Sequence, residues 1–227
     1  MTHQKPTAIL IVHGAYFLPP AWDDFSARLT GAGFAVSCPR LPSCKDERPP
    51  TATLTEDVMA VRHAMPRKSF STQAINSQGV VNLILLSAWL VQPGDSLPGV
   101  IGKHGFQCDV DLGNNGDGTV YAQHAPLSFY NDVESARAEE LAKGNITHNW
   151  AAASGVITGA PWKDLPTVYI YSIQDVAIKL LLQKSMVQDA VDAGAKLTTE
   201  TINSGHCSFS SRVEELVQMV QKVASEI

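Results

Sequence analysis

An aspartate and a histidine in the last quarter of the chain have the types and the spacing of a catalytic acid and base. Asp175 follows residues 167–172 (Thr-Val-Tyr-Ile-Tyr-Ser), a β-branched and aromatic run long enough for one buried strand. His206 follows a second strand, which the sequence predicts over residues 196–202. In both cases the side chain comes a few residues after the strand has ended.

A helix predicted over residues 178–193 connects the two strands, with Gly194 ending it. Its apolar positions at helical spacing are Leu181, Leu182, Met186, Ala190 and Val191. A strand, helix, strand order of this kind produces parallel neighbours, so Asp175 and His206 are expected at the same carboxyl edge, where ligands gather in open parallel sheets. A carboxylate there can accept the ring N–H of His206 and fix its tautomer, which makes the histidine an oriented general base.

The amino-terminal end supplies an element that matches this pair. Residues 8–12 (Ala-Ile-Leu-Ile-Val) form an apolar run typical of a parallel strand buried on both faces. It stops at a turn formed by His13 and Gly14. Such a turn can aim a backbone N–H into the site, and we expect the N–H of Ala15 to be one oxyanion donor. Two aromatic side chains are expected to form a wall of the pocket, Tyr16 and Phe17.

Four segments together resemble the α/β-hydrolase fold proteins, and most closely their small esterase-like and hydroxynitrile-lyase-like branch. They are Ile-Val-His-Gly-Ala-Tyr (11–16), Gly-Phe-Ala-Val-Ser-Cys-Pro-Arg-Leu-Pro-Ser (33–43), Ile-Gln-Asp-Val-Ala-Ile (173–178) and Ser-Gly-His-Cys-Ser-Phe (204–209). The resemblance implies that Asp175 is the catalytic acid and His206 the base. It also implies a nucleophilic serine in a Gly-x-Ser-x-Gly elbow, a motif that this sequence does not contain.

The missing elbow can be located in the chain. Residues 54–65 resemble the family's helix before the nucleophile strand, and residues 80–88 resemble the strand that follows the nucleophile helix. Only about fourteen residues, 66–79, lie between them, too few for a strand, an elbow and a helix of ordinary length. Either these elements are absent, or Ile-Asn-Ser-Gln-Gly (75–79) is a degraded elbow with Ser77 as nucleophile. Ile75 counts against the second interpretation, because a strained elbow requires small neighbours.

Each candidate residue also has a purely structural interpretation. His206 could be a polar side chain in a turn, and Asp175 could cap the following helix, a role that is compatible with catalysis. His13 is expected to be a structural ring beside the oxyanion turn, and Cys207 to be a packing residue. Asp132, which resembles a family position ahead of the cap helix, is a reserve candidate for the acid or a helix cap.

The middle of the chain, about residues 93–166, accumulates Gly, Asn and Pro and is predicted to be a small cap over the active site. Residues 113–118 are a turn of the kind that joins two short strands. A calcium loop counted from Asp111 would have Gly113 at its third position and Ala122 at its twelfth, where carboxylates are required, so calcium is not expected. Trp150 and Trp162 are expected to line an apolar pocket.

Composition restricts the class of protein. The 227 residues, 44% of them hydrophobic, suit one domain over residues 1–227 with a substantial core. A formal net charge of −5 offers no basic surface for nucleic acid or anionic membranes. The four cysteines show no disulfide framework and no zinc pattern, and the polar start of the chain does not read as a signal peptide. We therefore expect a cytoplasmic monomer or homodimer without metal or cofactor.

The sequence predicts an α/β fold with a mostly parallel sheet and helices on both faces, shortened in the middle, with a small cap. Its expected activity is hydrolysis of a small apolar carboxylic ester or lactone by Ser77, His206 and Asp175, with Ala15 as oxyanion donor. Two alternatives remain open. One is a catalytically impaired descendant that binds a small ligand, and the other is a lyase or cyclase that uses His206 as general base.

Overall fold

The computed structural model describes residues 8–45, 47–65 and 79–226, and their regular elements follow the predicted alternation of strands and helices. The strands, in chain order, are β1 (Ala8–Leu10), β2 (Ala35–Ser37), β3 (Leu83–Leu86), β4 (Leu112–Asn114), β5 (Thr119–Ala122), β6 (His148–Asn149), β7 (Thr167–Ser172) and β8 (Leu197–Ile202). The α-helices are α1 (Asp23–Gly31), α2 (Leu54–Ala64), α3 (Leu97–Lys103), α4 (Ala125–Phe129), α5 (Ser135–Ala142), α6 (Trp150–Ala153), α7 (Leu180–Asp192), α8 (Ser208–Ser211) and α9 (Val213–Ser225).

The parallel strands form two hydrogen-bonded groups within these residues. Strand β1 pairs with β2, while β7 lies between β3 and β8, and every one of these pairings is parallel. In the second group Leu83 lies beside Thr167, and Thr167 lies beside Leu197. The carboxyl ends of β3, β7 and β8 therefore reach the same edge of the sheet.

Helices cover both faces of the sheet, as the sequence predicts. Along β7, Val168 and Ile170 face the side covered by α1 and α9, and Tyr169 and Tyr171 face the side covered by α3 and α7. This alternation follows from the two-residue period of a strand, which sends successive side chains to opposite faces. Because both faces are covered, all six residues of β7 are buried, which explains its continuous apolar and aromatic sequence.

The carboxyl-terminal helix α9 packs through an apolar stripe that the sequence predicts correctly. The buried positions of this helix are Val213, Leu216, Val217, Val220 and Val223. They recur at intervals of three and four residues, so one face of α9 meets the sheet.

Two predicted core positions of α7 are wrong. Leu181 and Val191 are 69% and 44% exposed, and the buried face of the helix is formed instead by Leu182, Gln183, Met186, Val187 and Ala190. Leu182, Met186 and Ala190 are buried as predicted, and Gln183 and Val187 complete the buried face in place of the two wrong positions. The expected burial of residues 8–12 on both faces is also wrong, since only Ile11 is buried, Ala8 is exposed and Val12 is 51% exposed.

The middle of the chain carries the antiparallel strands of the fold. Strand β5 pairs with β4 on one side and with β6 on the other, and the turn predicted at residues 113–118 joins β4 to β5. The expectation that both tryptophans line a pocket is wrong. Trp162 is buried in the core beside α7, whereas Trp150 is 39% exposed.

None of the helices in the described parts of the chain combines the length and the apolar composition needed to cross a membrane.

Candidate active site

The structure brings Asp175 and His206 together at the carboxyl edge of the sheet. Asp175 lies three residues beyond the end of β7, and His206 lies four residues beyond the end of β8. The two loops approach each other because their strands are parallel neighbours paired along their whole length. His206 Nδ1 lies 2.9 Å from Asp175 Oδ2, and since a carboxylate can only accept, the ring donates its Nδ1–H.

The carboxylate of Asp175 is oriented by its own loop. Its side chain is buried, and Oδ1 accepts hydrogen bonds from the backbone N–H groups of Ala177 (2.8 Å) and Ile178 (3.0 Å). These bonds cap the turn at residues 176–179 and not the helix that the sequence suggests, since α7 begins at Leu180 without a side-chain cap. With Oδ1 held in this way, Oδ2 is left to face His206. Asp175 therefore serves both as a cap and as the partner of the histidine.

The electrostatics of His206 favour its protonated form. Burial opposes a charged ring, but the negative charge of Asp175 and its hydrogen bond outweigh burial and raise the pKa of His206 above 6.5. The side chain remains 19% exposed. Within residues 8–45, 47–65 and 79–226, no hydroxyl or thiol bonds to Nε2, so this nitrogen is the one available for chemistry.

The ring of Phe129, which sequence reasoning missed, connects His206 to the predicted oxyanion turn. Phe129 lies 5.6 Å from the His206 ring and 5.8 Å from the Tyr16 ring, measured between centroids. Tyr16 has φ of 70°, a left-handed conformation that is uncommon for any residue other than glycine. Its carbonyl accepts from the N–H of Ile146 (2.9 Å) and from Asn145 Nδ2 (3.1 Å). The strained turn is thus held in place from the cap side.

The predicted pocket residues occupy this turn. The N–H of Ala15 donates to no group in the described part of the chain. Gly14 lies one residue before it, and Phe17 is buried against Phe129 at 5.2 Å between ring centroids. The ring of Tyr16 stacks on the ring of Phe129 as well.

His13 is fixed as a neutral structural ring. Its Nε2 accepts the N–H of Leu41 (3.2 Å), so Nδ1 carries the proton and donates to the carbonyl of Gly14 (3.0 Å). Burial lowers the pKa of His13, which keeps the ring uncharged at neutral pH. The ring therefore ties the end of β1 to the segment after β2.

A buried cluster of Ser43, Asp57 and His148 lies behind the same turn. Asp57 accepts from the Ser43 N–H (2.9 Å) and from the Ser43 hydroxyl (2.5 Å), and Ser43 Oγ lies 3.0 Å from His148 Nε2. The serine stands between the other two residues, so this is not the order of a catalytic triad, in which the histidine is central. The His148 ring packs 5.8 Å from Tyr16, between centroids, which links the cluster to the turn.

The remaining candidates lie as follows. Ser77 falls outside the described residues. Cys207 is fully buried, and burial raises the pKa of its thiol, so it is a protonated packing residue, as expected. Asp132 has both carboxylate oxygens buried without a hydrogen-bond partner in the described chain, and it is not the residue bonded to His206.

No spacing rule reveals Phe129 or the Ser43 cluster in the sequence. Phe129 reaches His206 across 77 positions of the chain, and Ser43 reaches His148 across 105. Among the described residues, no three His, Cys, Asp or Glu side chains are grouped so as to hold a metal ion. An open cleft lined in part by Arg48, Tyr121 and Asn145 includes neither His206 nor Asp175.

Comparison with known proteins identifies relatives that share the fold. The α/β hydrolase nvfD of Aspergillus novofumigatus is 26% identical, and the alignment covers 98% of each chain. It runs over 253 positions, more than the 227 residues of this protein, so the relative carries segments that this chain lacks.

Solved structures share the fold at low sequence identity. Polyneuridine aldehyde esterase is 15% identical with a TM-score of 0.71, and the match covers 97% of this chain and 100% of the other. Tomato methylketone synthase I, solved as an H243A variant with β-ketoheptanoate, is 12% identical with a TM-score of 0.72, covering 97% and 98% of the two chains. The model of the alpha/beta hydrolase family matches residues 9–219, and the chain therefore belongs to that family.

Proposed function

We propose that this protein hydrolyses small apolar carboxylic esters or lactones, with His206 as general base and Asp175 as the residue that orients it. The observation that carries the proposal is the 2.9 Å contact between His206 Nδ1 and Asp175 Oδ2, which leaves Nε2 available on a ring of raised proton affinity. A base with these properties removes a proton from a hydroxyl and stabilises the resulting imidazolium.

Ser77 is the proposed nucleophile. As its oxygen attacks the ester carbonyl, His206 Nε2 takes the hydroxyl proton, and Asp175 stays ionised and stabilises the charged ring. The N–H of Ala15 donates to the developing oxyanion. The proton then passes to the alkoxide leaving group, and water releases the acid from the acyl-enzyme in a second cycle through the same base.

A second candidate function is a reaction that needs only the histidine, such as a lyase or cyclase reaction begun by proton abstraction. It is favoured by one observation, that no hydroxyl or thiol of the described chain bonds to Nε2. The likeness to methylketone synthase I concerns the fold and does not identify a substrate. In this case His206 would remove a proton from the substrate directly, and Ser77 would be dispensable.

The test is turnover of p-nitrophenyl acetate together with fluorophosphonate labelling, on protein whose fold circular dichroism has verified. The variants are Ser77→Ala, His206→Gln and Asp175→Asn, with Ser71→Ala as the control in the same segment. We expect wild type and Ser71→Ala to label and turn over, and Ser77→Ala and His206→Gln to lose both.

Other outcomes separate the candidates. Turnover that depends on His206 but not on Ser77 would replace the serine route by direct activation of water or by the histidine-only reaction. Saturable binding of the ester without turnover by the folded wild type would overturn hydrolysis and leave a ligand-binding descendant.

A further inference from the structure

Gln183 is a fully buried primary amide on the core face of α7. Its neighbours on that face are Leu182, Met186 and Val187. Burying an amide without hydrogen-bond partners is unfavourable, so a glutamine here requires hydrogen bonds that offset its desolvation. The amide makes them with the loop that carries Asp175.

The hydrogen bonds of Gln183 reach both ends of that loop. Its Oε1 accepts the N–H of Ser172 (3.2 Å), and its Nε2 donates to the carbonyl of Ser172 (3.1 Å) and to that of Ile178 (2.7 Å). Ser172 is the last residue of β7, and Ile178 lies just before α7. One side chain therefore joins the end of the strand to the start of the helix, with Asp175 in between.

Gln183 also reaches the carboxylate itself. Its Nε2 lies 3.5 Å from Asp175 Oδ2, the oxygen that accepts the His206 ring proton. The other oxygen, Oδ1, is held by the N–H groups of Ala177 and Ile178. Each oxygen of the carboxylate is thus approached from the loop or from α7, which fixes the direction in which Oδ2 points.

We infer that Gln183 is a positioning residue: its amide holds the 172–178 loop so that Asp175 Oδ2 meets His206 Nδ1, and it thereby sets the orientation and proton affinity of the histidine. The catalytic consequence rests on the proposed ester hydrolysis, whereas the positioning itself does not. In metal sites, replacing a residue that hydrogen-bonds to a ligating side chain commonly lowers affinity or activity about 10–100-fold, and we expect an effect of this size here.

The experiment is an NMR titration of the histidine rings in wild type, Gln183→Met and Asp175→Asn, with the His206 signals assigned by their loss in His206→Gln. Methionine has nearly the shape of glutamine and none of its hydrogen bonds. Gln188→Met is the matched control, because Gln188 lies exposed on the same helix and, among the described residues, its side chain bonds only to Asp192.

We expect the pKa of His206 to fall in both Gln183→Met and Asp175→Asn, and to stay unchanged in Gln188→Met. If ester hydrolysis is present, kcat should fall about 10-fold or more in Gln183→Met while KM changes little, since the substrate does not touch this residue. A folded Gln183→Met protein with the wild-type pKa at His206 would overturn the inference.

A measurement on otherwise unperturbed protein covers the case in which Gln183→Met does not fold. The side-chain NH₂ of Gln183 should exchange slowly in the wild type, and its chemical shift should move in Asp175→Asn. Rapid exchange of the Gln183 side-chain NH₂, with a chemical shift that is unchanged in Asp175→Asn, would contradict the inference. A changed His206 pKa without any ester turnover would leave the positioning role intact and defeat only the proposed hydrolysis.

Discussion

At the scale of single residues, the surroundings of each histidine determine whether its protonated or its neutral ring is stabilised. His206 is stabilised as the cation, because the charge of Asp175 outweighs the cost of burial. His13 and His148 are stabilised as neutral rings, because burial dominates and no carboxylate of the described residues bonds to them directly. The folded protein therefore favours protonation of His206 and opposes protonation of the other two histidines.

The raised pKa of His206 predicts the pH dependence of catalysis. A general base must be neutral to accept a proton, so ester hydrolysis should rise with pH and reach half its maximum above pH 6.5. Asp175→Asn removes the charge, so this midpoint should move to lower pH, while kcat falls by about 10²- to 10⁴-fold because the ring loses its orientation. A kcat/KM profile from pH 4 to 9 measures both effects. An unmoved midpoint in Asp175→Asn would contradict the assignment of Asp175.

Gly205 is predicted to be essential for the placement of its neighbour His206. A Cβ at this position would lie 2.7 Å from Asp132 Oδ1 and would clash with Asn131 Oδ1, and the Asn131 side chain is itself tied to the carbonyl of Gln174. Gly205→Ala should therefore cost about 1–3 kcal/mol in the free energy of unfolding and displace the histidine loop.

Urea unfolding and kcat measure these two consequences of Gly205→Ala. Gly159→Ala is the control, because a Cβ there meets nothing within 4 Å. Equal stability and activity in the two variants would show that the loop accommodates the extra methyl group.

At the scale of elements, the Ser43 cluster joins three separate parts of the chain behind the turn at residues 13–16. Ser43 lies in the turn after β2, Asp57 on α2 and His148 on β6. The serine hydroxyl donates to Asp57, so it accepts from His148 Nε2–H, and His148 Nδ1 is left without a partner in the described structure. A neutral ring suits this network, since its Nε2–H completes the bond to serine.

The neutral state of His148 predicts a loss of stability in acid. Burial lowers its pKa to about 4 in the folded protein, against 6.5 as the ordinary value. Between these values the unfolded chain binds a proton that the folded protein does not, so stability falls as pH falls from about 6.5 to about 4. The raised pKa of His206 acts oppositely, since its contribution is present below its ordinary value and is lost as pH rises through the raised one.

The measurement is urea unfolding at pH 4.5, 5.5 and 7 for wild type and His148→Gln. The substitution should remove at most about 3 kcal/mol of the change in unfolding free energy between pH 7 and pH 4.5. His124→Gln, at an exposed ring, is the control and should leave the slope unchanged. A His148→Gln protein with the wild-type slope would show that His148 is protonated in the fold.

At the scale of the whole molecule, hydrophobic periodicity predicts strands and helices, but it does not predict contacts between residues that are distant in the sequence. Strand β7 has the predicted bounds, because its six residues are buried together. Gln183 was missed because hydropathy assigns glutamine to solvent, while three backbone hydrogen bonds satisfy it inside the core. Asp175 and His206 were predictable, since the ends of parallel neighbours must meet. Phe129 and the Ser43 cluster depend on tertiary packing.

The division of the parallel strands into two groups yields a final prediction about the edge of β3. The N–H groups of Leu83 and Ser87 donate toward β7, to Pro166 and Ile170. Residues on one edge of a strand alternate, so the N–H groups of Ile84 and Leu86 point to the opposite edge, where no described strand pairs.

Hydrogen exchange followed by NMR measures this edge amide by amide. If the nucleophile strand is absent from this protein, the amides of Ile84 and Leu86 should exchange at least about 10-fold faster than those of Leu83 and Ser87. Strand β7 has neighbours on both sides, so all of its amides should be protected. Equal protection along β3 would show that a further strand pairs there. Repeating the measurement at low protein concentration would then identify the source of that strand. Protection that persists on dilution indicates a strand of the same molecule. Protection that is lost on dilution indicates a strand from a second copy, since an open sheet edge can associate with another molecule.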